Sequence, residues 1–270
     1  MPMTIVGVLV ALISIVVSTV MDGNSFGALI GPSSLVLVVV GTLGTTMAGY
    51  QQTDLGRVGK AYAKALTGKV GSSVGLVQVL VECSEVARRE GVLALEPKLE
   101  EVEDPFLKTG LQQVVDGMDA DAVREVMEIE MNSLDERHQS MIGFFKTMAG
   151  YAPTMGMIGT VIGLINMLGN LSDPAQLGLG LSVALLTTLY GVIFANLVFM
   201  PASAKLKRLH EIEMSSMDLV VDGVLSIQAG AGPRVLAERL QAYLPPAERE
   251  QISTGRSSEG AADEAAREAA

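Results

Sequence analysis

Four stretches of this chain hold no Asp, Glu, Lys, Arg or His over the roughly 20 residues that a membrane's hydrocarbon core asks of a helix. They are Met3 to Val20, Leu29 to Met47, Met148 to Gly169 and Leu179 to Met200. Backbone groups in lipid find no water to bond, so such stretches are satisfied as helices. The pattern predicts an all-α protein with four transmembrane spans. Charge placement agrees: all 19 Lys and Arg lie either between Arg57 and Lys146 or between Lys205 and Arg267. The first stretch has no basic leader and no small-x-small cleavage site, so it reads as a retained span rather than a signal peptide.

Two connections, Asp22 to Gly27 and Asn170 to Gln176, are short, turn-forming and free of basic residues. By contrast Arg57, Lys60 and Lys64 follow the second span, Arg137 and Lys146 precede the third, and Lys205, Lys207 and Arg208 follow the fourth. Basic residues near span ends stay in the cytoplasm. Both termini and the long segment between spans two and three are therefore expected inside. Apolar periodicity predicts helices over Val74 to Ala87, Asp121 to Met141 and Ala202 to Gln228, then a short helix over Arg234 to Tyr243 after Gly230, Gly232 and Pro233. The organisation expected is a first pair of spans (1–49), a cytoplasmic helical domain (50–146), a second pair of spans (147–201), cytoplasmic C-terminal helices (202–244) and a disordered tail (245–270).

Net charge is −11 without a basic stripe, which argues against a nucleic-acid partner. The single Cys83 reads as a reduced thiol in a helix core, with no metal-ligand spacing around it. His138 and His210 both sit among charged neighbours and read as residues of solvated helix faces. No nucleophile, base and oxyanion set and no phosphate-cradling glycine loop is present, so no cofactor is expected and an enzyme is disfavoured. No span carries an ionisable side chain, so a cation crossing here would need a charge from a partner. The third and fourth spans offer hydroxyls and small residues instead. Pro153 and Thr160 share a face, Gly159 and Gly163 form a GxxxG pair, and Ala184, Thr188, Gly191 and Ala195 form a second small face with Thr187 beside it. These threonines serve either to glue helices or to line an oxygen-rich path suited to sodium.

Tyr151-Ala152-Pro153-Thr154-Met155-Gly156-Met157-Ile158-Gly159-Thr160-Val161-Ile162-Gly163-Leu164 and Ala184-Leu185-Leu186-Thr187-Thr188-Leu189-Tyr190-Gly191, with Asn196 and Pro201 after them, resemble the third and fourth spans of the MotA/PomA flagellar stator family. Two further segments, Glu85 to Glu96 and Met217 to Gln228, are similar to that family's cytoplasmic parts, and the resemblance runs from the first span to about Leu244. It implies a bacterial inner-membrane subunit, five copies of which surround two copies of a single-span MotB/PomB partner whose aspartate carries the ion. It also implies that Thr160, Thr187, Thr188, Pro153 and Thr154 border the ion path. Sodium would pass transiently near the first three, without a fixed metal site. Pro153 and Pro201 match the family's coupling prolines, and Arg88, Arg89 and Glu96 match the charges that meet the rotor protein FliG. Glu85 and Arg89 can also pair within their own helix, and Arg89 would share a face with Glu96 only if that helix ran past Gly91.

Consecutive Thr187 and Thr188 resemble the sodium-driven, PomA-type branch, with H+ as the alternative ion. The chain departs from that branch at Gly31-Pro32-Ser33, where an acidic residue is expected, and Asp22 is a possible substitute. The alternative function, an ExbB/TolQ-type proton-driven energiser, fits less well because such proteins carry one span, not two, ahead of the large cytoplasmic region.

Overall fold

The computed structural model describes residues 3–23, 26–68 and 73–249. Every regular element among them is helical. In chain order these are α1 (Met3–Met21), α2 (Pro32–Met47), α3 (Gln52–Thr67), α4 (Ser73–Glu90), α5 (Pro105–Val115), α6 (Ala120–Gly169), α7 (Pro174–Ile193), α8 (Met200–Gln228) and α9 (Pro233–Leu240). Short 3-10 turns interrupt the connections, and a π-helical segment, Phe194–Phe199, joins α7 to α8.

Local chemistry sets most of these boundaries. Asp104 accepts the Leu107 N–H at 2.8 Å and Pro105 follows it, which starts α5. Asp119 accepts from the Ala122 N–H at 2.9 Å at the head of α6, and Asp173 accepts from Ala175 at 3.0 Å ahead of Pro174 in α7. Gly91 (φ +91°) ends α4 in a conformation that side-chain-bearing residues rarely adopt, so Arg89 and Glu96 do not share one continuous helix. The π segment finishes just before Pro201, whose missing N–H cannot continue an ordinary helical ladder.

Three described helices are long and apolar enough to cross a membrane: α1, α6 and the continuous helical run Pro174–Gln228. The second expected span is shorter. The apolar stretch starts at Leu29, but α2 begins at Pro32 after a 3-10 turn (Phe26–Leu29) and has 16 residues. That length spans about 24 Å at 1.5 Å per residue. The expected cytoplasmic helix Asp121 to Met141 and the third span are one uninterrupted α6 of 50 residues. At the C-terminal end a helical turn over 246–249 continues past Pro245, and Arg249 donates to the carbonyls of Leu244 (2.8 Å) and Ala242 (3.3 Å). The remainder of the tail expected to be disordered, 250–270, lies outside the described residues.

The chain forms two compact units, Met1–Lys69 with Glu136–His210, and Val70–Asp135 with Glu211–Ala270. In the first, Ile142, Phe144, Phe145, Met148, Ala149 and Ala152 of α6 pack with Ala195, Phe199, Ala202 and Leu206. Tyr50 meets Phe144 edge-on at 5.1 Å between ring centroids, and Ser203 donates to the Ile142 carbonyl at 3.0 Å. In the second, Val77, Leu80 and Cys83 of α4 pack with Leu107 and Leu111 of α5, Val123 and Met127 of α6, Leu219 and Val224 of α8, and Leu236 and Leu240 of α9. Cys83 is a buried free thiol, as expected, and burial pushes its pKa from 9.0 up to about 11.

Candidate functional site

The membrane-length part of α6 and the helix α7 meet along a seam of small residues. A methyl group added to Gly163 would fall 2.7 Å from the Gly180 carbonyl oxygen and 2.8 Å from the Ala184 nitrogen. One on Gly191 would fall 2.6 Å from the Ala152 oxygen, and one on Gly156 would fall 2.9 Å from the Thr187 oxygen. Glycine at these positions lets the two backbones touch. Thr187 is the hydroxyl residue built into this contact: it is fully buried, and its side chain occupies the space where a Cβ on Gly159 would stand.

The packed face of α7 is therefore Gly180, Ala184, Thr187 and Gly191, continued by buried Ala195. This corrects the face read from sequence, which placed Thr188 on the stripe and Thr187 beside it. Thr188 is half-buried at the edge of the seam, and its hydroxyl reaches the Ala184 carbonyl at 3.4 Å. The Thr187 hydroxyl donates to its own helix, lying 3.0 Å from the carbonyls of both Val183 and Ala184. Thr160 is half-buried and donates to Met157 at 2.6 Å, while exposed Thr154 donates to Tyr151 at 2.7 Å. All four hydroxyls rest on their own helices, the cheapest arrangement for threonine in an apolar setting. Pro153 lies inside α6, removes the N–H that would bond the Ala149 carbonyl, and sits with its Cα against Gly191. Pro201 is the second residue of α8, separated from the π segment only by Met200.

Tyr190 carries a role that the sequence did not disclose. Its hydroxyl accepts the Gly31 N–H at 2.8 Å and donates to the Leu29 carbonyl at 2.5 Å, tying the head of α2 to α7. Where an acidic residue was expected near Gly31, the structure has this phenol clamp. Along α2 the buried residues are Ser34, Val38, Thr42 and Thr46, one face of a helix. The outer surfaces of α1, of the membrane-length part of α6 and of α7 are apolar, with Val10, Ile13, Ile165, Leu168 and Leu185 among the residues more than half exposed.

In the second unit Arg88, Arg89 and Glu96 are all exposed. Arg89 pairs with Glu85 at 2.6 Å, the intrahelical partner expected for it. The Arg88 guanidinium lies across Gly232, occupying the space that a side chain there would need. The two histidines, by contrast, do not lie on separate solvated faces. His210 is 8% exposed and its Nδ1 is 3.3 Å from Nδ1 of His138.

A family model described as the MotA/TolQ/ExbB proton channel family matches residues 98–219. Motility protein A of Borreliella burgdorferi is 38% identical over 241 residues, covering 89% of this chain and 93% of the relative. Chemotaxis protein PomA of Vibrio alginolyticus is also 38% identical, covering 85% and 90%. The chain belongs to the MotA/PomA family of flagellar stator proteins. This stator subunit superposes on the solved structure of C. jejuni MotAB with a TM-score of 0.86 at 29% identity, covering 91% of this chain and 97% of that one. It is a membrane-embedded motor protein and not an enzyme. The ExbB/TolQ-type alternative yields to the motility relatives, which match nearly the whole chain.

Proposed function

We propose that this stator subunit couples the inward flow of sodium to torque on the flagellar rotor. In this reading the chain lies in the bacterial inner membrane with four spans, α2 being the shortest, and with both termini in the cytoplasm. Five copies surround a dimer of a single-span MotB/PomB-like partner, and membrane lipid covers the outer apolar faces. The structural neighbours, solved as MotAB complexes, support a partner of that kind.

The carrying observation is the composition of the α6–α7 seam: hydroxyls and glycines, with no ionisable side chain in either membrane stretch. A cation crossing such a surface needs an anionic group from outside the chain, and the partner's aspartate supplies it. Half-buried Thr160 and Thr188 then offer oxygen to a hard cation, with Thr154 nearer the α6 surface. Thr187 becomes available as α6 and α7 part, and Pro153 and Pro201 are the points at which the helices flex. Sodium is favoured over H+ by the consecutive hydroxyls of Thr187 and Thr188. Exposed Arg88, Arg89 and Glu96 face FliG, with Arg89 partly engaged by Glu85.

Swimming speed measured against external sodium at fixed pH tests the ion. Speed should follow sodium and fall when potassium replaces it; an unchanged speed overturns the sodium reading. Thr187→Val separates conduction from packing. The hydroxyl bonds only carbonyls of its own helix, so the isosteric valine should leave stability within about 1 kcal/mol. Loss of sodium-driven speed with normal stability would support the ion role, and retained speed would reduce Thr187 to helix packing.

A further inference from the structure

We propose that His138 and His210 form a two-histidine site for a divalent transition metal, of the zinc class, that pins α6 to α8. The observation is their approach. The two Nδ1 atoms are 3.3 Å apart although the residues are 72 positions apart in sequence. Two imidazole nitrogens bound about 2.0–2.1 Å from one tetrahedral ion stand about 3.3–3.4 Å apart, so the bite already matches. The rings are held near perpendicular, at 89°, rather than stacked.

Both helices are fixed on either side of the pair. One turn along α6 from His138, the Ile142 carbonyl accepts from Ser203 of α8, and Leu206 and Leu209 are buried just ahead of His210. The bite is thus set by packing and does not depend on the ion. Imidazole suits zinc, copper, nickel and cobalt, and two further positions on the ion stay open to water. No group of three or more His, Cys, Asp or Glu among the described residues could hold a metal, which makes this a two-ligand site.

Gln139 decides which nitrogen is available. Its Nε2 lies 3.3 Å from Nε2 of His210. With the amide nitrogen donating there, the His210 proton sits on Nδ1 and is shared with His138, closing the pair. With the amide turned over, its Oε1 accepts a proton on Nε2 instead, and Nδ1 presents its lone pair to the ion. In that state the His210 proton rests on Nε2 and both Nδ1 atoms face the ion. Such an outer hydrogen bond fixes the tautomer of a ligating histidine and is typically worth 10–100-fold in metal affinity. Gln139 is thus a positioning residue.

The test uses the full chain in its stator complex, free of histidine tags, reconstituted in lipid nanodiscs and stripped with chelator. Co2+ alone is titrated at neutral pH while its visible d–d absorption is followed. The wild type should give a saturating change in that absorption at one ion per chain. His138→Gln should abolish it, and Gln139→Glu, which can only accept from Nε2, should tighten binding about tenfold. Circular dichroism checks each variant's fold; partly exposed His138 tolerates replacement, so the comparison does not depend on a variant of buried His210 folding. A wild-type titration that matches His138→Gln overturns the proposal, leaving an ordinary hydrogen-bonded pair. An unchanged affinity in Gln139→Glu overturns the role given to Gln139.

Discussion

Replacing Gly163 by alanine puts the helix seam to a quantitative test. The added methyl would stand 2.7 Å from the Gly180 carbonyl oxygen, 2.8 Å from the Ala184 nitrogen and 2.9 Å from the Ala184 Cβ, against 3.4 Å or more in ordinary contact. Two of these three atoms are backbone, so no rotamer change relieves the clash. Locally α7 must recede from α6 by roughly 0.7 Å, a gap that on its own forfeits a quarter to a half of the dispersion attraction across it. Overpacking of this kind costs about 1–3 kcal/mol, partly offset by the roughly 1 kcal/mol by which alanine favours a helix over glycine. The net loss is then up to about 2 kcal/mol, a fall in unfolding temperature of up to about 8 °C for a chain of this size, and Gly163→Ala should lie about 1–3 kcal/mol below a glycine-to-alanine change that meets no clash. Gly150→Ala on the same helix is the control: nothing lies within 4 Å of its added methyl, so alanine should be neutral or stabilising. Thermal unfolding of the purified stator, followed by circular dichroism, measures both. If Gly163→Ala unfolds no lower than Gly150→Ala, the seam does not rest on backbone contact.

Tyr190→Phe should leave the Gly31 N–H and the Leu29 carbonyl without their shared partner and cost about 1–3 kcal/mol, since neither finds water in an apolar setting; unfolding temperature checks it, and an unchanged value would show the clamp to be dispensable. Cys83 gives a pH dependence. Burial raises its folded pKa from 9.0 to about 11, so the fold favours the neutral thiol. Its contribution is fully present below the unfolded value and is lost as pH rises from about 9 through 11, because the unfolded chain gives up the proton first. Maleimide labelling of the folded protein should accordingly stay slow to well above pH 9 and become fast on unfolding, whereas rapid labelling near neutral pH would contradict the burial.

Composition along the chain settled the helical class, the placement of the apolar stretches, the helix breaks at Gly91 and Gly230, and the small-residue character of the α6–α7 contact, because each depends on residues near one another in sequence. The resemblance in Tyr151 to Leu164 and Ala184 to Gly191 likewise needed no coordinates to point to a stator. Other features depended on how one helix rotates against another. Whether Thr187 or Thr188 enters the seam is a difference of one position, about 100° around the axis, and only the approach of Gly156 and Gly159 chooses between them. The Tyr190 clamp spans 159 positions and the histidine pair 72, and nothing local to either end announces its partner. Periodicity reports which side of a helix is apolar, while packing decides which atom meets which. That is why the seam was legible in outline, and why the hydroxyl inside it and the two imidazoles beyond it were not.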